Sequence, residues 1–257
     1  MHIVAIGDIG VVDDMIHIGD EAMFEALVDA VRARGVTRIT GISSNPSESA
    51  ERYGIEAVSP FGFGRDRDAN EERMRGIPST PLADLVRSAD GVVIAGGGNM
   101  TSLWPHHVYE RAALGRLAES LGKPLVVTGQ TMGPVLGERD AELVTGLLSS
   151  ARLVGVREPS SLALVRSLGV AAEQTIDDAS YLVSDAAAHG DYCLVSLANH
   201  VGDADRDAVV ASVAALLDGL GMPVRFLAHF GALSGPSRGG PVIHDLSLIQ
   251  PLRRPPS

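Results

Sequence analysis

The sequence predicts an α/β fold: a Rossmann-like, doubly wound parallel sheet followed by an incomplete second domain. Three observations lead there. Short apolar runs alternate with stretches of helical periodicity along most of the chain. Two of those runs, Gly91–Ala95 and Pro124–Thr128, stop abruptly in glycine-rich segments, Gly96-Gly97-Gly98-Asn99 and Gly129-Gln130-Thr131-Met132-Gly133. Between them, His106 to Leu121 reads as a helix, so strand, turn, helix and strand succeed one another as in the crossover units of a parallel sheet. Such sheets bind ligands beyond the carboxyl ends of their strands. The two glycine-rich loops are therefore expected to face one crevice.

Taken in order, Met1–Ile6 is the first buried strand and Gly7 to Gly19 a long loop. Asp20 to Arg34 carries helical periodicity through Ala22, Phe24, Leu27, Val28 and Val31, with Gly35 as its stop. Val36–Ile42 is the second strand and Pro46 to Tyr53 a short helix. Ser59 to Pro81, rich in Gly, Arg and acidic residues, predicts a surface excursion or mobile loop. Leu82–Ser88 is a helix leading into Gly91–Ala95. Beyond the second glycine-rich segment come a helix (Glu138–Ser149), a strand (Arg152–Val156), a helix closed by Gly169 (Pro159–Leu168) and a strand end or turn (Thr175–Leu182).

These elements fill an N-terminal domain over residues 1–184, and Ser184–Gly190 reads as a linker. Residues 190–257 hold a strand (Tyr192–Ala198), a helix (Asp205–Leu220) and a strand (Val224–His229), followed from about residue 231 by an irregular tail rich in Gly, Pro and Ser. Two strands and one helix do not close an independent α/β domain. The expectation is a partial, truncated second domain.

The net charge of −11 argues against nucleic acid or an anionic membrane as a main partner. An anionic ligand would have to be attracted locally, by arginines and helix N-termini. The single cysteine, Cys193, lies in an apolar run and is read as a small hydrophobe; one cysteine builds neither a disulfide framework nor a cysteine zinc site. The N-terminus lacks the basic start of a signal peptide. Apolar runs fall far short of the ~20 residues that span a bilayer. A cytoplasmic protein with no integral membrane segment is expected.

Several residues then stand out as candidates. Asp20, at the start of the first helix, is placed either to cap it or to orient or deprotonate a sugar hydroxyl in the crevice. Gly96, Gly97 and Gly98 with Asn99 are expected to turn backbone N–H groups inward as an anion-binding nest, close packing of helix on strand being the plainer alternative. Trp104, the only tryptophan, suits stacking on a sugar or covering the sheet edge. His106 and His107 read as surface residues at a helix start. Arg157 ends an apolar strand where ligands bind, with Ser160 and Ser161 opening the next helix. A guanidinium beside helical N–H groups suits a phosphate or carboxylate, and a salt bridge to Asp177 or Asp178 is the alternative. His200 and His229 come last, His229 at the end of its strand. The first glycines, Gly7 and Gly10, lack the Gly-x-Gly-x-x-Gly spacing of a dinucleotide fold, which makes an NAD oxidoreductase the least favoured reading.

Together the segments Gly19-Asp20-Glu21-Ala22, Ala95-Gly96-Gly97-Gly98-Asn99, Gly129-Gln130-Thr131-Met132-Gly133-Pro134, Val156-Arg157-Glu158 with Ser161, and Asp177-Asp178-Ala179 resemble the polysaccharide pyruvyl transferase family over roughly residues 1–182. The resemblance implies two Rossmann-like domains facing a cleft, a GT-B-like two-domain arrangement. It also implies transfer of the pyruvyl unit of phosphoenolpyruvate to a saccharide acceptor of a cell-surface polysaccharide, forming a ketal. No metal or cofactor besides the donor substrate is implied. On this resemblance Arg157 grips the donor, Gly96–Asn99, Gln130 and Ser161 line the crevice, Asp20 serves an acceptor hydroxyl and His229 is a candidate acid. The chain has Glu158 where many relatives have Asp, and its second domain is shorter than theirs. A non-catalytic sugar- or anion-binding protein and a GT-B glycosyltransferase using a nucleotide sugar are the competing readings.

Overall fold

A computed structural model describes residues 1–11, 15–182, 191–196, 205–226 and 230–232. It divides into two compact units, one of residues 1–13 and 17–183, the other of residues 14–16 and 184–257.

The first unit begins with β1 (His2–Ile6), while β2 (Met15–His17) leads directly into α1 (Ile18–Ala33). The expected loop from Gly7 to Gly19 thus contains a short strand, and the helix starts two residues before Asp20. Asp20 lies in the first turn, the N-cap residue being His17, so the capping expectation fails. At the other end Gly35 adopts φ +85°. There Gly35 N–H donates to Arg32 O and Val36 N–H to Val31 O, a paired closure that a glycine beyond the last turn permits.

Next come β3 (Arg38–Ile42), α2 (Pro46–Tyr53) and an edge strand, β4 (Glu56–Val58). The segment expected as a loop forms α3 (Arg67–Gly76), capped by the Asp66 side chain on the N–H groups of Asp68 and Ala69, and a 3-10 turn, Ile77–Ser79. Phe63, Met74 and Ile77 are buried in the main core with Tyr109. A few well-placed apolar anchors suffice to pin a polar segment, which local composition does not reveal.

The sheet continues with α4 (Pro81–Ser88), β5 (Gly91–Ile94), β6 (Gly97–Met100), α5 (Pro105–Ser120), β7 (Leu125–Met132), α6 (Glu138–Ser150), β8 (Leu153–Val156), α7 (Pro159–Ser167) and β9 (Glu173–Gln174). A 3-10 turn, Asp178–Tyr181, follows, with the Asp177 side chain accepting from Ala179 N–H. All strands of this unit's sheet run parallel in the order β4-β3-β1-β5-β7-β8-β9, with β6 beside β7. The order reverses between β1 and β5, the position where doubly wound sheets open a crevice at their carboxyl edge. One apolar cluster around β5, α5 and β7 and another under α1 and β3 fill the two faces.

In the second unit β10 (Cys193–Val195) and β11 (Val224–Phe226) are parallel and joined by α8 (Arg206–Leu220), while β12 (Phe230–Ala232) pairs with β2. Asp205 caps α8, and Gly221 with φ +62° ends it. Cys193 is half-buried. Among the described residues no helix is long and apolar enough to cross a membrane.

Candidate functional site

Both glycine-rich segments depart from the expected turns. Gly97–Met100 is strand β6, and β7 runs on through Met132, so that Gly129 to Met132 is strand. None of Gly96, Gly97 and Gly98 has positive φ, and the alternating backbone of an anion nest is not formed there. The glycines answer to close approach. A Cβ on Gly96 would meet Asp178 Oδ2 at 2.9 Å and Met23 Sδ at 3.1 Å, and one on Gly129 (φ +46°) would lie 2.5 Å from Asp178 Oδ1. The Asp178 carboxylate docks into that gap, taking Gly96 N–H at 3.2 Å and the Thr128 hydroxyl at 2.6 Å. Burial outweighs these bonds and pushes its carboxyl above the usual range.

The remaining glycines border open polar groups. A Cβ on Gly97 would be 3.2 Å from Asn99 Oδ1 and 3.4 Å from Asp20 Oδ1, so both oxygens lie over the same bare α-carbon. Gly98 is exposed, and its missing Cβ would stand 3.4 Å from Arg157 Nη2. The fold thus brings Asp20, Gly97 and Asn99 together, and Arg157 to Gly98.

Arg157 follows the last residue of β8. Its Nε donates to Thr131 Oγ1 (2.6 Å), and Nη1 donates to Asp177 Oδ2 (2.6 Å) and approaches Met23 Sδ (3.5 Å). The salt bridge weighed from the sequence exists, to Asp177, but it engages one edge of the guanidinium. Nη2 has no hydrogen-bond partner among the described residues, and the side chain is one-quarter exposed. Glu158 completes the frame, accepting from Thr131 Oγ1 (3.0 Å) and from the Ser161 hydroxyl.

Ser161 corrects another expectation. It is fully buried, accepts Met132 N–H at 2.7 Å and donates to Glu158, so it braces β7 against α7 and has no free face for a ligand. Gln130 is also fully buried; its Nε2 donates to Ala95 O, while Oε1 has no partner. Trp104 is over one-third exposed, 6.0 Å beneath the Arg65 guanidinium. His200 and His229 lie outside the described residues.

The structure also assembles a group that the motifs did not single out. Asp8, just past β1 at the reversal point, has its Oδ2 3.6 Å from His17 Nδ1 and 3.5 Å from His107 Nε2. His17 Nδ1 is in turn 3.8 Å from Asp20 Oδ2. Burial opposes ionisation of Asp8, but the neighbouring His17, His107 and Arg111 together hold its carboxyl far below the usual range. The Asp20 and Asp8 carboxylates beside it push the His17 imidazole up to about 10. Burial, then the charge of Arg111, lowers His107 to about 3, so it stands beside Asp8 as a neutral ring and not as the surface residue expected. Arg111 is buried mid-helix, bonded through Nη1 to His107 O at 3.2 Å, with Nε unpartnered. A signal existed in the sequence: Asp8 follows the first strand, and Arg111 interrupts an apolar stretch of α5. Glu21, from the Gly19–Ala22 segment, serves the scaffold by accepting Gly10 N–H (2.9 Å) and the Tyr53 hydroxyl.

A carboxylate and an imidazolium stand over the Gly97 face of β6 and a partly free guanidinium over its Gly98 face, groups whose chemistry suits a hydroxylated partner and a small anion. A sequence model of the polysaccharide pyruvyl transferase family matches residues 17–239, most of the chain. The chain belongs to this family. Comparison with curated protein sequences gives no significant match. Among solved structures, MurG of Acinetobacter baumannii is similar at a TM-score of 0.46 and 14% identity, covering 88% of this chain, which spans 57% of that one. A carbohydrate kinase from Agrobacterium tumefaciens aligns at a TM-score of 0.38 and 12% identity over 68% of this chain and 70% of its own.

Proposed function

We propose that the chain transfers the pyruvyl unit of phosphoenolpyruvate to a pair of hydroxyls on a saccharide. In this reaction the methylene carbon of the donor gains a proton and becomes a methyl group. Two new C–O bonds form at C2, the C2–O bond to phosphate breaks, and inorganic phosphate leaves. Of the two hydroxyl protons given up, one balances the methyl group and the other departs with phosphate.

The observation that carries this reading is Arg157. Thr131 and Asp177 fix its plane, and Nη2 is left to face the bare surface of Gly98 without an acceptor. A fixed guanidinium with an open donor suits a carboxylate or phosphate oxygen and loses little freedom on binding. Asp20, one-fifth exposed beside Gly97, is the carboxylate placed for an acceptor hydroxyl. His229, the acid expected from the sequence, lies outside the described residues, so that role stays unassigned.

Calorimetric titration with phosphoenolpyruvate tests the donor grip. Arg157→Ala is expected to weaken binding at least ~10-fold, the loss of one charged hydrogen bond of about 1.5–3 kcal/mol. Equal affinities for the two proteins would remove Arg157 from the site. Donor binding without phosphate release across a panel of glycosides would favour a non-catalytic anion-binding protein.

A further inference from the structure

We infer that Asp8, His17 and Asp20, together with the side-chain oxygen of Asn99, form a binding site for a divalent cation of the Mn²⁺ class. Asp8 Oδ2 and Asp20 Oδ2 stand 3.6 and 3.8 Å from His17 Nδ1, and the three ligand atoms lie within 4.8 Å of one another. A cation bound at about 2.0–2.2 Å keeps tetrahedral neighbours roughly 3.4 Å apart and opposite octahedral ligands roughly 4.2 Å apart. Side-chain adjustments of roughly half an ångström to one ångström would therefore close the set. Nearly half of the His17 side chain is exposed, and Asp8 and Asp20 are each about one-fifth exposed, which gives an ion a path of entry.

Three such residues can also make a plain imidazolium bridge. Asn99 distinguishes the cation site from that arrangement. It is only 5% exposed, and neither its Oδ1 nor its Nδ2 has a hydrogen-bond partner. Its Oδ1 and Asp20 Oδ1 both lie over Gly97, 3.2 and 3.4 Å from where a Cβ would stand. A buried amide with both ends unmade is costly, and an imidazolium bridge leaves that cost in place. An ion shared with Asp20 would engage Oδ1. One imidazole, two carboxylates and an amide oxygen, without a thiolate, suit Mn²⁺ better than a soft metal. The buried Arg111 charge behind Asp8 tempers the attraction, so the expected ion is exchangeable and not structural. The inference does not depend on the pyruvyl-transfer reading. Should both hold, Asp20 would act on the acceptor hydroxyl through the ion, which acidifies bound oxygens.

The test is titration of the chelator-stripped full chain with MnCl₂ and no donor, following free Mn²⁺ by electron paramagnetic resonance. Saturable binding of a single ion per chain is expected. Asp20→Asn and His17→Gln should each weaken it at least ~10-fold and Asn99→Leu less, with the surface variant Glu56→Gln unchanged. Circular dichroism confirms folding of each variant. If Asp20→Asn unfolds, the half-exposed His17 decides through His17→Gln. Absence of saturable Mn²⁺ binding, or equal binding in wild type and His17→Gln, would overturn the site. Donor affinity is measured separately, so a failed cation site leaves the Arg157 test standing.

Discussion

Around α3, buried polar side chains are engaged. Glu110 accepts the N–H groups of Phe61, Gly62 and Phe63, and Asp140 accepts from Arg67 and Ser102. Asn70 trades both ends of its amide with Gly64. At the carboxyl ends of β5 and β7 the same residue types are left open: both ends of Asn99, Oε1 of Gln130, Nε of Arg111 and the Nη2 edge of Arg157. A folded chain gains nothing from an unmade buried hydrogen bond, so open groups are candidates for contact with a ligand. Burial without a partner is not enough by itself, since His2 Nδ1 and Glu48 Oε2 are also unpartnered among the described residues; Asn99 differs in having the Asp20 carboxylate over the same glycine.

The largest effect that would break this contrast belongs to Glu110. Burial pushes its carboxyl above the usual range despite three backbone donors, and Glu110→Ala leaves those donors without an acceptor. A loss of about 3 kcal/mol in urea unfolding is expected; a loss below about 1 kcal/mol would mean that the α3 segment is not held through this residue.

Asp140 comes next. Burial raises its pKa, but hydrogen bonds from Arg67 and Ser102 and the Arg67 charge outweigh it, holding the carboxyl below its ordinary value of 3.8. A carboxylate depressed in the folded state adds stability at pH values above its unfolded pKa, and that stability is lost as pH falls through the folded value. Asp140→Asn should therefore cost about 1–2 kcal/mol near neutrality, Arg67 being one-third exposed. The gap from wild type should hold down to about pH 5 and narrow below about pH 4. A gap that instead widens in acid would reverse the sign and discard the pairing.

The two asparagines give the smallest and sharpest comparison. Asn70→Ala is expected to cost about 1–2 kcal/mol, because Gly64 loses both partners, whereas Asn99→Leu should change stability by less than about 0.5 kcal/mol or raise it. Thermal melts of the two variants side by side read this directly. Equal losses would show that Asn99 is as firmly satisfied as Asn70, and the distinction between scaffold and site would go with it.

The strand and helix rhythm from β1 to α7 was legible because it rests on period and on stops that need no partner, such as Gly35 and Gly169, each with positive φ. Arg157 was legible too, as a charge closing an apolar strand. The glycines of β6 and the end of β7 were not. Their composition matches a turn, but β6 pairs with β7, and the Asp178 carboxylate occupies the space that a side chain would take at Gly96 and Gly129. Ser161 looked like a ligand at a helix start, and its burial against Glu158 depends on how α7 settles on β7. The α3 segment was read as a loop because its anchors, Phe63, Met74 and Ile77, are spread too thinly to show a period.

By itself, the sequence determined the parallel α/β frame and the family, since apolar period, chain stops and motif order are local properties. Only the tertiary structure decided which polar groups share a space. Asp8, His17, Asp20, Asn99, His107 and Arg111 come from four separate stretches of chain, and their charges are set by distances of a few ångströms that close only when β1, α1, β6 and α5 meet. Electrostatic and hydrogen-bond energies depend on those distances and on the exclusion of water, and neither is written in the order of the residues.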